Sequence, residues 1–185
     1  MTDRLPLPTS LTPEQESARA AIVQGPRGEL VGPFVPLLRA PELMTRVQLL
    51  GEQLRFGSTL DTHLTELVIL LVSRYWDQDF EWGYHAPLAR AAGLDDAVVE
   101  SIAAGLPVNG PADVRSVTAL VSELQHERHV TDPTWADAVA SVGEVAVVEV
   151  VATCGYYTTL AMTMNAARTP VPPGFERLPA AAGGS

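Results

Sequence analysis

Leu64-Thr65-Glu66-Leu67-Val68-Ile69-Leu70-Leu71-Val72 decides the fold. Its apolar residues cover nearly every face of a 3.6-residue repeat, so the run reads as a buried central helix over about 61–76, with Asp61 as its cap. The chain then turns an aromatic, acidic corner, Tyr75-Trp76-Asp77-Gln78-Asp79-Phe80. Glu81-Trp82-Gly83-Tyr84-His85 opens a second helix, about 79–92, which Gly93 closes. Its expected inward stripe is Phe80, Tyr84, Leu88 and Ala91. Glu66, Glu81 and His85 combine ionisable chemistry with this apolar setting. Glu81 and His85 are four residues apart and share a helix face. If the two helices form a hairpin, both converge on Glu66.

Working outward, the expected pattern is helical throughout, with no convincing strand: the fold class is all-α. An extended arm over 1–10 precedes a helix that Thr12 caps and Pro13 starts. Gly25 to Pro36 is a long Gly/Pro connection containing Phe34, expected to drape over the core. A helix over about 41–55 follows. After the hairpin come a short helix from Asp95, one from Pro111 or Asp113 to about His129, another from Asp132-Pro133, and a long helical segment from Ser141 to Arg168. Glu66-Leu67-Val68 and Glu149-Val150-Val151 each start an apolar run, a weak internal likeness. The expected organisation is one domain over 1–168 and an extended or disordered tail over 169–185, which has four prolines among its first eleven residues.

The chain has 185 residues, 46% of them hydrophobic, enough for one domain with a core. Its net charge of −10, with no basic cluster, excludes nucleic acid and anionic membrane surfaces as expected partners. No apolar run looks as long as a membrane span, and no leader pattern opens the chain. Cys154 is the one cysteine, so nothing points to an oxidising compartment. The expected location is cytoplasmic.

A carboxylate–imidazole–carboxylate cluster in an apolar cleft suits proton transfer. A neighbouring carboxylate orients histidine, and a buried Glu can stay protonated and act as an acid. Glu81, His85 and Glu66 could also supply metal ligands, but their number and type suit a closed metal site poorly. No metal and no cofactor is expected. Cys154 sits in an apolar helix without a neighbouring base, a setting for an inert thiol. Trp82, Gln78 and Tyr156 are the expected substrate-binding residues beside the catalytic His85, Glu81 and Glu66.

A helical Glu, then Glu-Trp-x-x-His ending nineteen residues after it, then Ala-Arg-Ala-Ala-Gly-Leu, resembles the carboxymuconolactone decarboxylase family, which includes the alkylhydroperoxidase D-like proteins. The resemblance is strongest over residues 55–105 and extends more weakly to Gly155–Met162 and Asn165-Ala166. It implies an alkylhydroperoxidase D-like helical domain that assembles into homo-oligomers: trimers, hexamers or dimers. Members with peroxidase activity carry a Cys-x-x-Cys pair just before the His. Gln78 and Glu81 stand at those positions here. The resemblance therefore implies the cysteine-free branch and decarboxylase-like chemistry: decarboxylation, or proton transfer next to a carbonyl, on a small carboxylate or lactone. The alternatives are an alkylhydroperoxidase or peroxiredoxin-type oxidoreductase and a non-catalytic oligomer that binds a small ligand.

Overall fold

The computed structural model describes residues 2–180. Among them every regular element is helical. In chain order these are α1 (Pro13–Gln24), α2 (Phe34–Leu37), α3 (Pro41–Phe56), α4 (Thr62–Tyr75), α5 (Asp79–Ala91), α6 (Asp96–Ala104), α7 (Ala112–His126), α8 (Asp132–Val142) and α9 (Glu144–Ala167).

α4 is the centre. It packs against α5, α6, α7 and α9, and Leu67, Val68, Ile69, Leu70 and Val72 are fully buried. Burying each such side chain stabilises the fold by about 1.5–3 kcal/mol relative to leaving it in water. That burial, rather than intrinsic propensity, keeps this Val- and Ile-containing run helical. α4 and α5 form the expected hairpin. At its corner Asp77 takes a positive φ of 47°, and the Gln78 backbone N–H bonds the Ser73 carbonyl.

The caps are mixed. Thr12 and Gln15 form a reciprocal capping box at α1, and Asp95 Oδ1 accepts from Ala97 N–H at 2.8 Å. Asp61 makes no side-chain cap bond to α4; its backbone carbonyl takes the Leu64 and Thr65 N–H groups instead.

Three further expectations are corrected. The segment from Ser141 is two helices. Gly143, at φ 86°, breaks it: its N–H closes α8 on Val139, and α9 starts at the next residue. The Gly/Pro connection holds a turn of helix, α2, whose Phe34 is 4% exposed. α5 turns inward a different stripe, Trp82, Ala86 and Ala89, while Leu88 and Ala91 are exposed. The reason lies across the helix: Phe80 and Tyr84 face Phe175, ring centroids 5.5 and 6.4 Å away, rather than the core.

α9 has 24 residues and contains an 18-residue window with a mean hydropathy of 1.4, so by length and composition it is long and apolar enough to cross a membrane, contrary to expectation. Half of that window is buried, as a core helix would be. Its Val145, Val148 and Met162 are exposed.

Residues 175–178 lie along α5. Glu176 pairs with Arg90 at 2.9 Å, Leu178 N–H donates to Asp79 Oδ1 at 3.0 Å, and Arg74 Nη1 donates to the Pro179 carbonyl at 2.9 Å. The tail expectation for residues 181–185 lies outside the described residues. Gly83 is what lets this strap lie down, because a Cβ there would sit 2.6 Å from Phe175 Cβ and 2.8 Å from the Glu176 carbonyl oxygen. Gly83→Ala is therefore expected to lift the strap at an overpacking cost of about 1–3 kcal/mol. Trypsin should then cut after Arg177 roughly tenfold faster or more. Unchanged cleavage would mean that the strap does not depend on this contact.

Candidate active site

α4 and α5 bring Glu66 and His85 together. His85 Nδ1 lies 2.7 Å from Glu66 Oε2, and both residues are buried. A carboxylate oxygen can only accept, so the imidazole N–H sits on Nδ1 and Nε2 carries the lone pair. Burial pushes the His85 pKa below its ordinary 6.5; Glu66 opposes the shift, and the charges of Arg55 and Arg27 add to it. The histidine is thus oriented by a carboxylate yet neutral near pH 7, the form that can take a proton.

Glu81 lies one turn before His85 and is 3% exposed. Its Oε2 has no hydrogen-bond partner among the described residues, and burial raises its pKa well above the ordinary carboxylate value. Its buried, unpartnered setting favours the proton-bearing form.

His85 and Glu81 face a small cavity of about 40 Å³. That is room for roughly three waters, which suits a small ligand. Arg27, Glu29, Arg55, Phe80, Tyr84 and Tyr157 also line it. Arg27 comes from the Gly/Pro connection. Its guanidinium carbon sits 4.7 Å from the centroid of the Phe34 ring, Nη2 donates to Tyr156 Oη at 3.3 Å, and Nε is buried without a partner among the described residues. Arg55 comes from the end of α3. Neither arginine is in an ion pair among the described residues.

These two arginines were not expected. They lie 58 and 30 residues before His85 in sequence, in segments whose turn and helix signals say nothing about a shared cavity. The substrate-binding expectations fare differently. Trp82 is fully buried in the core. Gln78 caps α5, accepting from Phe80 N–H at 2.8 Å and donating to Asn165 Oδ1 at 2.7 Å. Tyr156 reaches the site only through its bond to Arg27, whereas its neighbour Tyr157 lines the cavity.

Cys154 is remote from this lining. It borders a separate depression beside Tyr75 and Trp76, and burial pushes its thiol up to about 11. Glu149, the other half of the weak internal likeness, ties down the turn before α4 through Ser58 and Thr59. Among the described residues no three His, Cys, Asp or Glu side chains group as a metal site.

The Glu66–His85 pair and Glu81 fall within a sequence match. Residues 41–121 match the carboxymuconolactone decarboxylase family. The matched segment runs from α3 into α7 and holds Arg55, Glu66, Glu81 and His85. Arg27, Tyr156, Tyr157 and the strap lie outside it.

Solved structures share the fold. A peroxidase-related protein from Ralstonia eutropha JMP134, described as an alkylhydroperoxidase AhpD core, superposes with a TM-score of 0.73 at 13% identity, covering 92% of each chain. A peroxidase-related protein from Silicibacter sp. TM1040 gives 0.72 at 12% identity, over 92% of this chain and 91% of that one. A protein of unknown function from Agrobacterium tumefaciens gives 0.66 at 16% identity, over 74% and 94%. No curated protein matches the chain in sequence.

Proposed function

We propose that this protein is a cofactor-free enzyme that moves a proton at a carbon next to a carbonyl, by decarboxylation or isomerisation, on a small carboxylate or lactone. The observation that carries the reading is the buried His85–Glu66 pair beside a cavity that His85 lines together with a buried, unpartnered Glu81 and two arginines without ion-pair partners among the described residues. Neutral His85 takes the proton through Nε2, and Glu66 keeps the imidazole in the useful tautomer and steadies the imidazolium that forms. Arg27 and Arg55 hold the carboxylate, Arg27 through a planar fork pre-positioned by Phe34 and Tyr156. A thiol-dependent peroxidase reading lacks a thiol on the cavity wall, since Gln78 and Glu81 occupy the positions where peroxidase members carry cysteines. A homo-oligomer is part of the proposal, with the exposed Val145, Val148 and Met162 of α9 as candidate contacts.

The test is deuterium exchange in D2O, followed by NMR, over a panel of acetoacetate, 2-oxobutyrate and small carboxylated lactones. Exchange or CO2 release should depend on His85. If every member of the panel behaves the same with wild type and with His85→Gln, the reading is wrong. Replacing Arg27 and Arg55 by Met should raise KM about 10- to 100-fold with little loss of kcat, since hydrogen bonds to charged groups are worth about 1.5–3 kcal/mol. A kcat loss at unchanged KM would remove the arginines from the carboxylate-holding role.

A further inference from the structure

We propose that Tyr157 and Glu81 form a pair of hydrogen-bond donors that holds the negatively charged oxygen of an enolate. The substrates would then be small compounds whose carbonyl lies beside the carbon that exchanges its proton. This rests on the proton-transfer reading above and names what that site recognises.

Both side chains are buried on the wall of one cavity, Tyr157 at 1% and Glu81 at 3% exposure. Tyr157 Oη and Glu81 Oε2 lack a hydrogen-bond partner among the described residues. Orphaned polar atoms so deeply buried are costly and uncommon, and these two line one cavity with a third, Arg27 Nε. The neighbouring tyrosine supplies the contrast: Tyr156 has its hydroxyl bonded to Arg27.

The two donors come from different helices, α9 and α5, which meet at His85. The Tyr157 ring stands edge-on to the imidazole, centroids 5.3 Å apart at 88°, and Glu81 lies one helical turn from His85. The base and both donors therefore face one small volume. Burial favours the protonated forms of the Glu81 carboxyl and the Tyr157 phenol, raising both pKa values well above their ordinary ones. A neutral carboxyl and a phenol can each donate one O–H, and what fits two such donors is an acceptor oxygen. Donors in a water-poor site act most strongly where charge develops.

The step balances without an oxidant. His85 Nε2 takes a proton from the carbon next to the carbonyl. The C–H electron pair becomes a C=C bond, and the carbonyl π pair moves onto oxygen, where Tyr157 and Glu81 hold it while keeping their own protons. The imidazolium then returns the proton to the same carbon or to a conjugated one. In a decarboxylation the C–C pair follows that route, CO2 leaves, and a proton from water, relayed by His85, completes the carbon.

The test uses 4-nitrophenol, a planar mimic of an enolate oxygen whose colour reports its ionisation. At a pH just below its own pKa, wild-type protein should bind it as the coloured phenolate. Tyr157→Phe and Glu81→Ala should each weaken binding about 10- to 100-fold. Glu81→Gln, whose amide N–H still donates, should recover most of the Glu81→Ala loss. Thermal unfolding of each variant separates lost contact from lost fold. If Tyr157→Phe and Glu81→Ala both bind the phenolate within twofold of wild type while folded, the donor pair is wrong, even where His85-dependent exchange is present. If binding depends on both residues while no panel compound exchanges, the pair stands and the reaction reading fails.

Discussion

His85→Gln is expected to lower kcat about 10²- to 10⁴-fold, the usual worth of a positioned general base, with the fold retained. Gln is near in size and polar, and its amide can still donate to Glu66 Oε2. It cannot take a proton. The pH profile of the wild-type protein carries the second half of the expectation. His85 has its pKa lowered from 6.5, by burial first and by Arg55 and Arg27 in addition. The acid limb of kcat/KM should therefore fall below pH 6.5 and vanish in the Gln variant. The same shift has a sign for stability. The unfolded chain takes up this proton at about 6.5, before the folded site does, so stability falls as pH drops through that region. His85→Gln should remove that slope. An acid limb that survives the substitution would assign the titration to another group.

Trp82→Ala should do the reverse: a large loss of stability with the chemistry intact in the molecules that remain folded. Trp82 is fully buried in the cluster that joins α5 to α4, and truncating a core Trp costs about 3–5 kcal/mol. For a domain of this size that lowers Tm by roughly 6–20 °C. The loss is offset slightly because the indole N–H, which has no partner among the described residues, disappears with the ring. Measured well below the new Tm, KM for any compound turned over should stay within about twofold, since the residue touches no cavity wall. A raised KM with little change in Tm would return Trp82 to the ligand-binding role that its place beside Glu81 suggests.

That contrast explains what could be read from sequence. The α4–α5 hairpin and the Glu66–His85 pair were legible because one contiguous stretch carries both, and helical periodicity over long apolar runs is a strong signal. The errors are one residue wide. A step along a helix turns about 100°, so Trp82, next to Glu81, points into the core, and Tyr156, next to Tyr157, points at Arg27. Gln78 failed for a different reason. It sits at the helix start, where its carbonyl oxygen is drawn back onto the free Phe80 N–H, as cap positions demand. Arg27 and Arg55 were illegible because their meeting depends on the path of the Gly/Pro connection, and nothing local encodes that path. The break at Gly143 was a missed turn signal: a lone glycine in an otherwise helical pattern was read through.

The two walls of the cavity have different origins. One wall, with Glu81, His85 and Arg55, belongs to the segment that matches the family. Arg27 and Tyr157 come from the two flanks of the chain, outside that segment. The proposed site is therefore assembled from the matched segment and from both flanks. A protein built this way could change what it accepts through its flanks, and grafting the flanks of another protein of this fold onto this α4–α5 hairpin is expected to carry that protein's substrate preference along with them.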